Sequence, residues 1–169
     1  MNLFHKIIEK LYFRIPNNLA LYDHLTGLYN YNWIVAKGLK KYANKAIYIT
    51  AIDLNCLKEI NDTKGHAYGN QIIMKVADQL AKIKKQKFCH NADAVRFGGD
   101  EFVVFSEANI ADYIQTYQEG ADIISFGIYY KSETEDIVEA MKKADIEMYK
   151  NKEVYHQLIE YRKQKEKLN

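Results

Sequence analysis

The chain has 169 residues, of which 48% are apolar and 27% are charged, and the charges nearly cancel to a net +2. This balance excludes a disordered chain and a generally basic coat, so no nucleic-acid partner is expected. The length fits one domain with one hydrophobic core. Cys56 and Cys89 stand far apart, which argues against a disulfide framework or a zinc ribbon and fits a reducing compartment.

The two ends of the chain differ in character from its body. Residues 1–22 combine an amphipathic pattern with a break at Pro16, and we predict a helix and a linker ahead of the domain. This helix packs on its own domain or on a second copy. Residues 156–169 form a charged C-terminal tail, whose densely charged stretch 162–167 is predicted to be a solvated helix end. No apolar run is long enough for a membrane span or a secretion signal, which predicts a cytoplasmic protein.

Helical and extended patterns alternate through the body of the chain, residues 23–155. The segment 46–54 is apolar and β-branched almost throughout, which is typical of a buried central strand. Interleaved helices and strands predict an α/β or α+β fold with helices packed on a sheet. In chain order the predicted elements are a helix over 31–42, a strand over 46–54, a helix over 71–84, strands over 93–97, 101–105 and 123–130, and a helix over 136–152.

Two acidic residues occupy places where a carboxylate needs a partner. Asp53 closes the buried strand, and Asp100 follows Gly98 and Gly99 at the tip of a predicted hairpin. Mg²⁺ prefers oxygen ligands, usually one or two carboxylates together with phosphate oxygens and water. Glycines let the backbone approach a triphosphate closely. Each signal alone also fits an ordinary turn, but the two together favour a site for a nucleotide and a metal ion.

Residues 96–102 read RFGGDEF, and at this point the sequence resembles the GGDEF domain family of diguanylate cyclases. Further blocks are similar to the family's motifs and follow the family's order. These blocks are residues 23–30 (DHLTGLYN), 53–69 (DLNCLKEINDTKGHAYG), 125–127 (SFG) and 144–152 (ADIEMYKNK). The resemblance therefore covers most of the chain, from about Asp23 to Lys152.

The resemblance implies an α+β fold whose central, mostly antiparallel sheet is flanked by helices, similar to the palm of polymerases and adenylyl cyclases. Two such domains face each other as a homodimer, each holds one GTP, and the product is cyclic di-GMP. Carried over by position, Asp53, Asp100 and the backbone carbonyl of Leu54 would bind Mg²⁺ or Mn²⁺. Glu101 would assist near the attacking hydroxyl, as a base or as a partner of a second metal ion.

The same resemblance implies the nucleotide contacts. Two lysines would act as point charges on the triphosphate, which suits phosphoryl transfer, and two asparagines would read the base. The implied nucleotide-binding positions are Leu54, Lys58, Asn61, Asn70, Gly98, Gly99 and Lys152.

The chain departs from the family's pattern at several positions. Where the family usually has Asp, this chain has Asn70. A carboxylate accepts from both the N1–H and the amine of guanine, whereas an amide offers one acceptor and one donor group, a pair that also matches adenine. GTP is the expected substrate, and ATP with a cyclic di-AMP or mixed product is the alternative. The other departures are Asn55 for the second acid of DxD, Tyr31 for an Arg, His156 near a second Arg, and Cys89 and Ala92 in the product-inhibition motif RxxD.

Two rival interpretations are a degenerate domain of this family, which would bind nucleotide without turnover, and a generic ferredoxin-like interaction domain with no nucleotide role. The intact Asp53 and residues 98–102 favour the enzyme. The stretch between Phe102 and Ser125 is shorter than is usual in the family, which predicts a compact domain with a helix and a peripheral hairpin trimmed. No sensor domain is recognised ahead of it, so control is expected from dimerisation, expression or a separate partner.

Overall fold

A computed structural model describes residues 21–117 and 123–166 of the chain. In this part of the chain, five strands form one sheet that helices cover on both faces. The predicted helix and linker of residues 1–22 lie outside the described residues, apart from Leu21 and Tyr22. In chain order the elements are β1 (Tyr29–Asn30), α1 (31–42), β2 (Ile47–Leu54), α2 (Leu57–Lys64), α3 (His66–Lys82), β3 (Ala92–Gly98), β4 (Glu101–Ser106), α4 (Ala111–Tyr117), β5 (Ile124–Lys131) and α5 (Ile137–Glu166).

The strands lie in the order β1-β3-β4-β2-β5. The short β1 pairs in parallel with β3, and the other described neighbours are antiparallel. The predicted α+β fold with a mostly antiparallel sheet is confirmed. The central strand β2 is buried at seven of its eight positions. Its register places Asp53 beside Glu101 of β4 on one side and beside Ser125 of β5 on the other.

Side chains alternate across the sheet and supply two separate cores. Along β4, Phe102 and Val104 belong to the core that includes α3 and α4, whereas Val103 and Phe105 belong to the core that includes α1 and α5. This alternation follows from the period of two residues in a strand. Helices therefore cover both faces of the sheet.

The first three helices differ from the prediction. Helix α1 contains a π-helical segment, Ile34–Gly38, in which Gly38 packs against the ring of Trp33. Periodicity does not predict α2, because among its residues only Leu57 is buried and no apolar stripe forms. Helix α3 begins at His66 and not at the predicted residue 71.

Helix α5 continues to Glu166, beyond the predicted end at residue 152. The charged residues from 156 onward therefore extend this helix as far as the chain is described, which agrees with the predicted helix end but joins it to the preceding helix. The short connection from β4 to β5 retains one helix of seven residues, α4.

The packing of α5 on β5 requires a glycine in the strand. A Cβ atom at Gly127 would lie 2.0 Å from the backbone nitrogen of Met148 and 2.5 Å from the carbonyl oxygen of Ala144. Both of those atoms belong to the helix backbone, which cannot move aside as a flexible side chain could. The matched SxG motif thus serves a close contact between a strand and a helix.

We predict that Gly127→Ala lowers the free energy of unfolding by roughly 1–3 kcal/mol or more, because the added methyl group overlaps the backbone of α5. Urea unfolding followed by circular dichroism measures the loss. Gly98→Ala is the matched control, since a Cβ atom at Gly98 meets nothing within 4 Å. Equal stability of the two variants would contradict the packing argument.

Candidate active site

The carboxyl end of β2 and the tip of the β3–β4 hairpin meet at one edge of the sheet. The backbone N–H of Leu54 donates to the carbonyl of Asp100 at 3.1 Å, which joins the tip to the central strand. Asp53 is buried, and burial raises the pKa of its carboxyl group. The Lys152 ammonium opposes this rise and the nearby Asp100 carboxylate adds to it. The predicted metal-binding acids therefore lie close enough to repel each other.

The side chain of Arg96 fixes the hairpin tip by binding the backbone of the turn. Its Nε and Nη2 atoms donate to the carbonyl of Gly99 at 3.1 and 2.7 Å, and Nη1 donates to both carboxylate oxygens of Asp23 at 3.1 and 3.2 Å. Gly99 has a φ of +57°, a conformation that favours glycine. Asp23 also accepts from the N–H and hydroxyl of Thr26 at 2.9 and 2.7 Å. The DHLT and RFGGD segments thus form one network.

That network also holds Asp23 in its ionised form. Although burial opposes the change, hydrogen bonds from Thr26 and Arg96 lower the pKa of Asp23. The charge-assisted pair between Asp23 and Arg96 therefore persists across the neutral pH range.

Helix α5 brings a lysine and a carboxylate to the same edge of the sheet. Nζ of Lys152 lies 2.6 Å from Oδ1 of Asp53. Asp145 lies on the same helix, about two turns before Lys152. It is buried, and burial raises its pKa to about 6, while the negative charges of Glu101 and Asp53 raise this pKa further. The sequence interpretation did not single out Asp145 as a site residue. Its one signal was the AD pair at the start of the 144–152 block.

The predicted base-reading residues meet where α2 and α3 pack together. The Oδ1 atom of Asn61 is buried and has no hydrogen-bond partner among the described residues. A Cβ atom at Gly69 would lie 1.9 Å from this oxygen, so the glycine makes room for Asn61. Asn70 follows directly and is exposed. Lys58, in the first turn of α2, is also exposed.

Asn55, in place of the second acid of DxD, has a structural role. It is buried, its N–H donates to the carbonyl of Ile123 at 2.7 Å, and its Oδ1 accepts from the hydroxyl of Ser125 at 2.8 Å. These bonds hold the start of β5 against the end of β2. The Ser of the SxG motif therefore binds Asn55, and Asn55 does not join the acids at the strand ends.

The protein side chains alone do not enclose a metal ion. Within residues 21–117 and 123–166, no three or more His, Cys, Asp or Glu side chains are arranged to hold one. A cation beside Asp53 and Asp100 would need further oxygen ligands from a backbone carbonyl, water or phosphate. This is the usual situation of Mg²⁺ in nucleotide sites, where substrate phosphates complete the coordination.

The sequence profile described as diguanylate cyclase, GGDEF domain, matches residues 20–122. The chain belongs to the GGDEF domain family. It is 31% identical over 165 residues to the probable diguanylate cyclase DgcJ of Escherichia coli strain K12, covering 85% of this chain and 32% of that protein. It is 30% identical over 157 residues to the diguanylate cyclase DgcP of the same strain, covering 82% of this chain and 42% of that protein. The chain thus spans less than half the length of either relative.

A solved structure agrees with the fold of this GGDEF domain. The GGDEF domain of DgcB from Caulobacter crescentus, crystallised in complex with c-di-GMP, matches with a TM-score of 0.66 and 24% identity. The match covers 82% of this chain and 94% of that chain. Among the described helices, none is both long and apolar enough to cross a membrane.

We predict that Asp145→Asn stabilises the GGDEF domain more at pH about 7.5 than at pH about 4.5, by roughly 1–2 kcal/mol. The pKa of Asp145 rises from 3.8 in the unfolded chain to about 6 in the folded one. The folded chain therefore binds the proton more tightly, and wild-type stability falls as the pH rises through this window. The amide removes that loss.

Urea unfolding at both pH values, in EDTA, measures the effect of Asp145→Asn. Asp112→Asn, at an exposed position on α4, is the control and should follow the wild-type pH profile. Parallel profiles for Asp145→Asn and the wild type would contradict the raised pKa of Asp145.

Proposed function

We propose that this GGDEF domain is a diguanylate cyclase that joins two molecules of GTP into cyclic di-GMP and releases pyrophosphate. The observation that carries the proposal is the meeting of buried Asp53, the Asp100 hairpin tip and the Lys152 ammonium at one edge of the sheet. Phosphoryl transfer requires a protein mainly to position groups and to neutralise charge. Carboxylates for a metal ion and a lysine for phosphate meet both requirements. A nucleoside triphosphate substrate suits a cytoplasmic protein.

The residues at the strand ends fit a divalent metal ion. Asp53 and Asp100 would hold Mg²⁺ or Mn²⁺ together with the carbonyl of Leu54, and substrate phosphates would complete the coordination. When bound, the ion polarises a phosphoryl oxygen and neutralises developing charge. Lys58 and Lys152 would bind the triphosphate beside the glycine turn.

The reaction joins two nucleotides, one from each domain of a homodimer. The 3′-oxygen of each nucleotide forms a bond to the α-phosphorus of the other, the bond from that phosphorus to the bridging oxygen breaks, and pyrophosphate leaves. Glu101 starts β4 next to Asp53 in the sheet register, a position from which it would accept the hydroxyl proton or bind a second metal ion. One domain supplies one nucleotide, so the active form is the dimer.

Asn61 and Asn70 would read the base. The buried Oδ1 of Asn61, which lacks a partner in the described chain, is an acceptor that a base amine would satisfy. Asn70 offers both an acceptor and a donor, which fits guanine incompletely and also fits adenine. GTP is the proposed substrate, and ATP giving cyclic di-AMP or a mixed product is the alternative that Asn70 favours.

A nucleotide-binding regulatory module without turnover is the second candidate. It is favoured by His156, which stands roughly where an arginine is expected for phosphate, by Tyr31 in place of another arginine of the family, and by Asn55, which binds Ser125 and Ile123. Such a module would bind nucleotide with the same residues but release no pyrophosphate. The intact metal-binding pair, Asp53 and Asp100, favours the enzyme.

We predict that Asp100→Ala lowers cyclic dinucleotide formation by roughly three orders of magnitude, because a metal ion supplies several kcal/mol of charge stabilisation. Purified protein is incubated with Mg²⁺ and GTP, ATP or both, and the products are resolved by mass spectrometry. The free energy of unfolding should change by less than about 1 kcal/mol, since the carboxylate stands at a hairpin tip.

Asp112→Ala is the control, because it removes one exposed acid on α4 that has no role in the proposed site. This variant should keep wild-type turnover. If the wild-type protein forms no cyclic dinucleotide from any mixture but still binds nucleotide, the regulatory module is correct. If Asp100→Ala fails to fold, the residue is structural.

We predict that Asn70→Asp raises the preference for GTP over ATP by about tenfold or more. A carboxylate accepts two charge-assisted hydrogen bonds from guanine, whereas from adenine it accepts only from the N6 amine and repels the lone pair of N1. Competition between the two nucleotides, with products separated by mass, gives the ratio of kcat/KM values. Asn44→Asp, at an exposed position, is the matched control. An unchanged ratio would mean that Asn70 does not contact the base.

A further inference from the structure

Lys152 and Asp53 bind each other, although the proposed function gives them different ligands. The Nζ atom of Lys152 lies 2.6 Å from Oδ1 of Asp53, 99 positions away in the chain. Asp53 is only 6% exposed, and the lysine side chain is 25% exposed. The pair is thus better shielded from solvent than the surface pair of Lys150 and Glu147, whose side chains are 62% and 46% exposed.

The charges around Asp53 explain why a cation is needed there. A buried carboxylate without a counter-charge is strongly unfavourable, and the neighbouring acids make it more so. The ammonium of Lys152 meets this need directly. The titratable groups that act on Asp53 and its neighbours at this edge of the sheet are the acids Asp100, Glu101 and Asp145 and the basic side chains Lys152 and His156.

We propose that Lys152 takes the place of the metal ion on Asp53 in the free protein and transfers to phosphate when nucleotide binds. The inference rests on the proposed function, because it assumes that Asp53 binds a metal ion and Lys152 binds phosphate. An oxygen that accepts from an ammonium group is less available to a cation, and the two positive charges repel each other. A triphosphate gives Lys152 another acceptor and so releases the carboxylate.

Metal ion and nucleotide therefore bind cooperatively. A metal ion alone must displace Lys152 from Asp53 and leave the ammonium group without its partner. A metal–nucleotide complex supplies both the cation for Asp53 and the phosphate for Lys152. By linkage, the same coupling raises the affinity for nucleotide when the metal ion is present. The exchange guards the site against metal ions that arrive without substrate.

The test measures binding of Mn²⁺ alone to the full chain by electron paramagnetic resonance, which counts free Mn²⁺ without any turnover. We expect Lys152→Gln to bind bare Mn²⁺ about tenfold more tightly than the wild type, because the competing ammonium is gone. The same variant should bind the Mn²⁺ complex of a non-hydrolysable GTP analogue more weakly, as measured by calorimetry. Lys150→Gln, on the same helix, is the control and should change neither affinity.

The opposite signs of the two effects distinguish an exchange from a static ion pair. If Lys152→Gln binds both bare Mn²⁺ and the Mn²⁺ complex more weakly, or bare Mn²⁺ as the wild type does, the inference is wrong and the proposed function stands. If the wild type binds neither bare Mn²⁺ nor the nucleotide complex, the proposed function itself fails.

A second variant covers the case in which Lys152→Gln does not fold in EDTA. Lys152→Arg keeps a cation on Asp53 and should therefore bind bare Mn²⁺ no more tightly than the wild type does. If Lys152→Arg binds bare Mn²⁺ at least tenfold more tightly than the wild type, the inference is wrong, whatever the behaviour of Lys152→Gln.

Discussion

The close approach of α5 to β5 is the contact on which the proposed site depends. Gly127 has no side chain, so the helix backbone at Ala144 and Met148 lies directly against the strand. That approach sets how close α5 lies to the sheet, and it places the Lys152 ammonium 2.6 Å from Asp53. A thicker interface would hold the helix away from the sheet and separate the lysine from the strand ends.

Hydrogen bonds to backbone carbonyls hold the hairpin tip, and these bonds do not use the carboxylate of Asp100. The N–H of Leu54 binds the carbonyl of Asp100, and the guanidinium of Arg96 binds the carbonyl of Gly99. Both contacts use the backbone of the turn. The position of Asp100 is therefore fixed from two sides while its side chain stays available for the proposed metal ion, and a site fixed in this way needs little reorganisation during a reaction.

Local patterns in the sequence predict the strands and the glycine hairpin, but they do not predict contacts between distant residues. The apolar run before Asp53 identifies β2 because burial on both faces leaves a continuous signal. Helix α2 leaves no such signal, since its one buried residue is Leu57. Asp145 fits the helical pattern of α5, and nothing local reveals that its carboxylate is buried near other acids. The family's motifs name Lys152 for phosphate, whereas its partner Asp53 emerges only in the folded chain.

The charge balance at the strand ends bears on how substrate reaches this GGDEF domain. The acids Asp53, Asp100, Glu101 and Asp145 lie at this end of the sheet together with Lys152, and His156 stands roughly where the family has an arginine. An edge with this excess of acids attracts divalent cations and repels a bare triphosphate. In the proposed reaction, nucleotide would therefore enter most favourably as its metal complex. With His156 in place of an arginine, more of the phosphate charge would be left for the metal ion to offset.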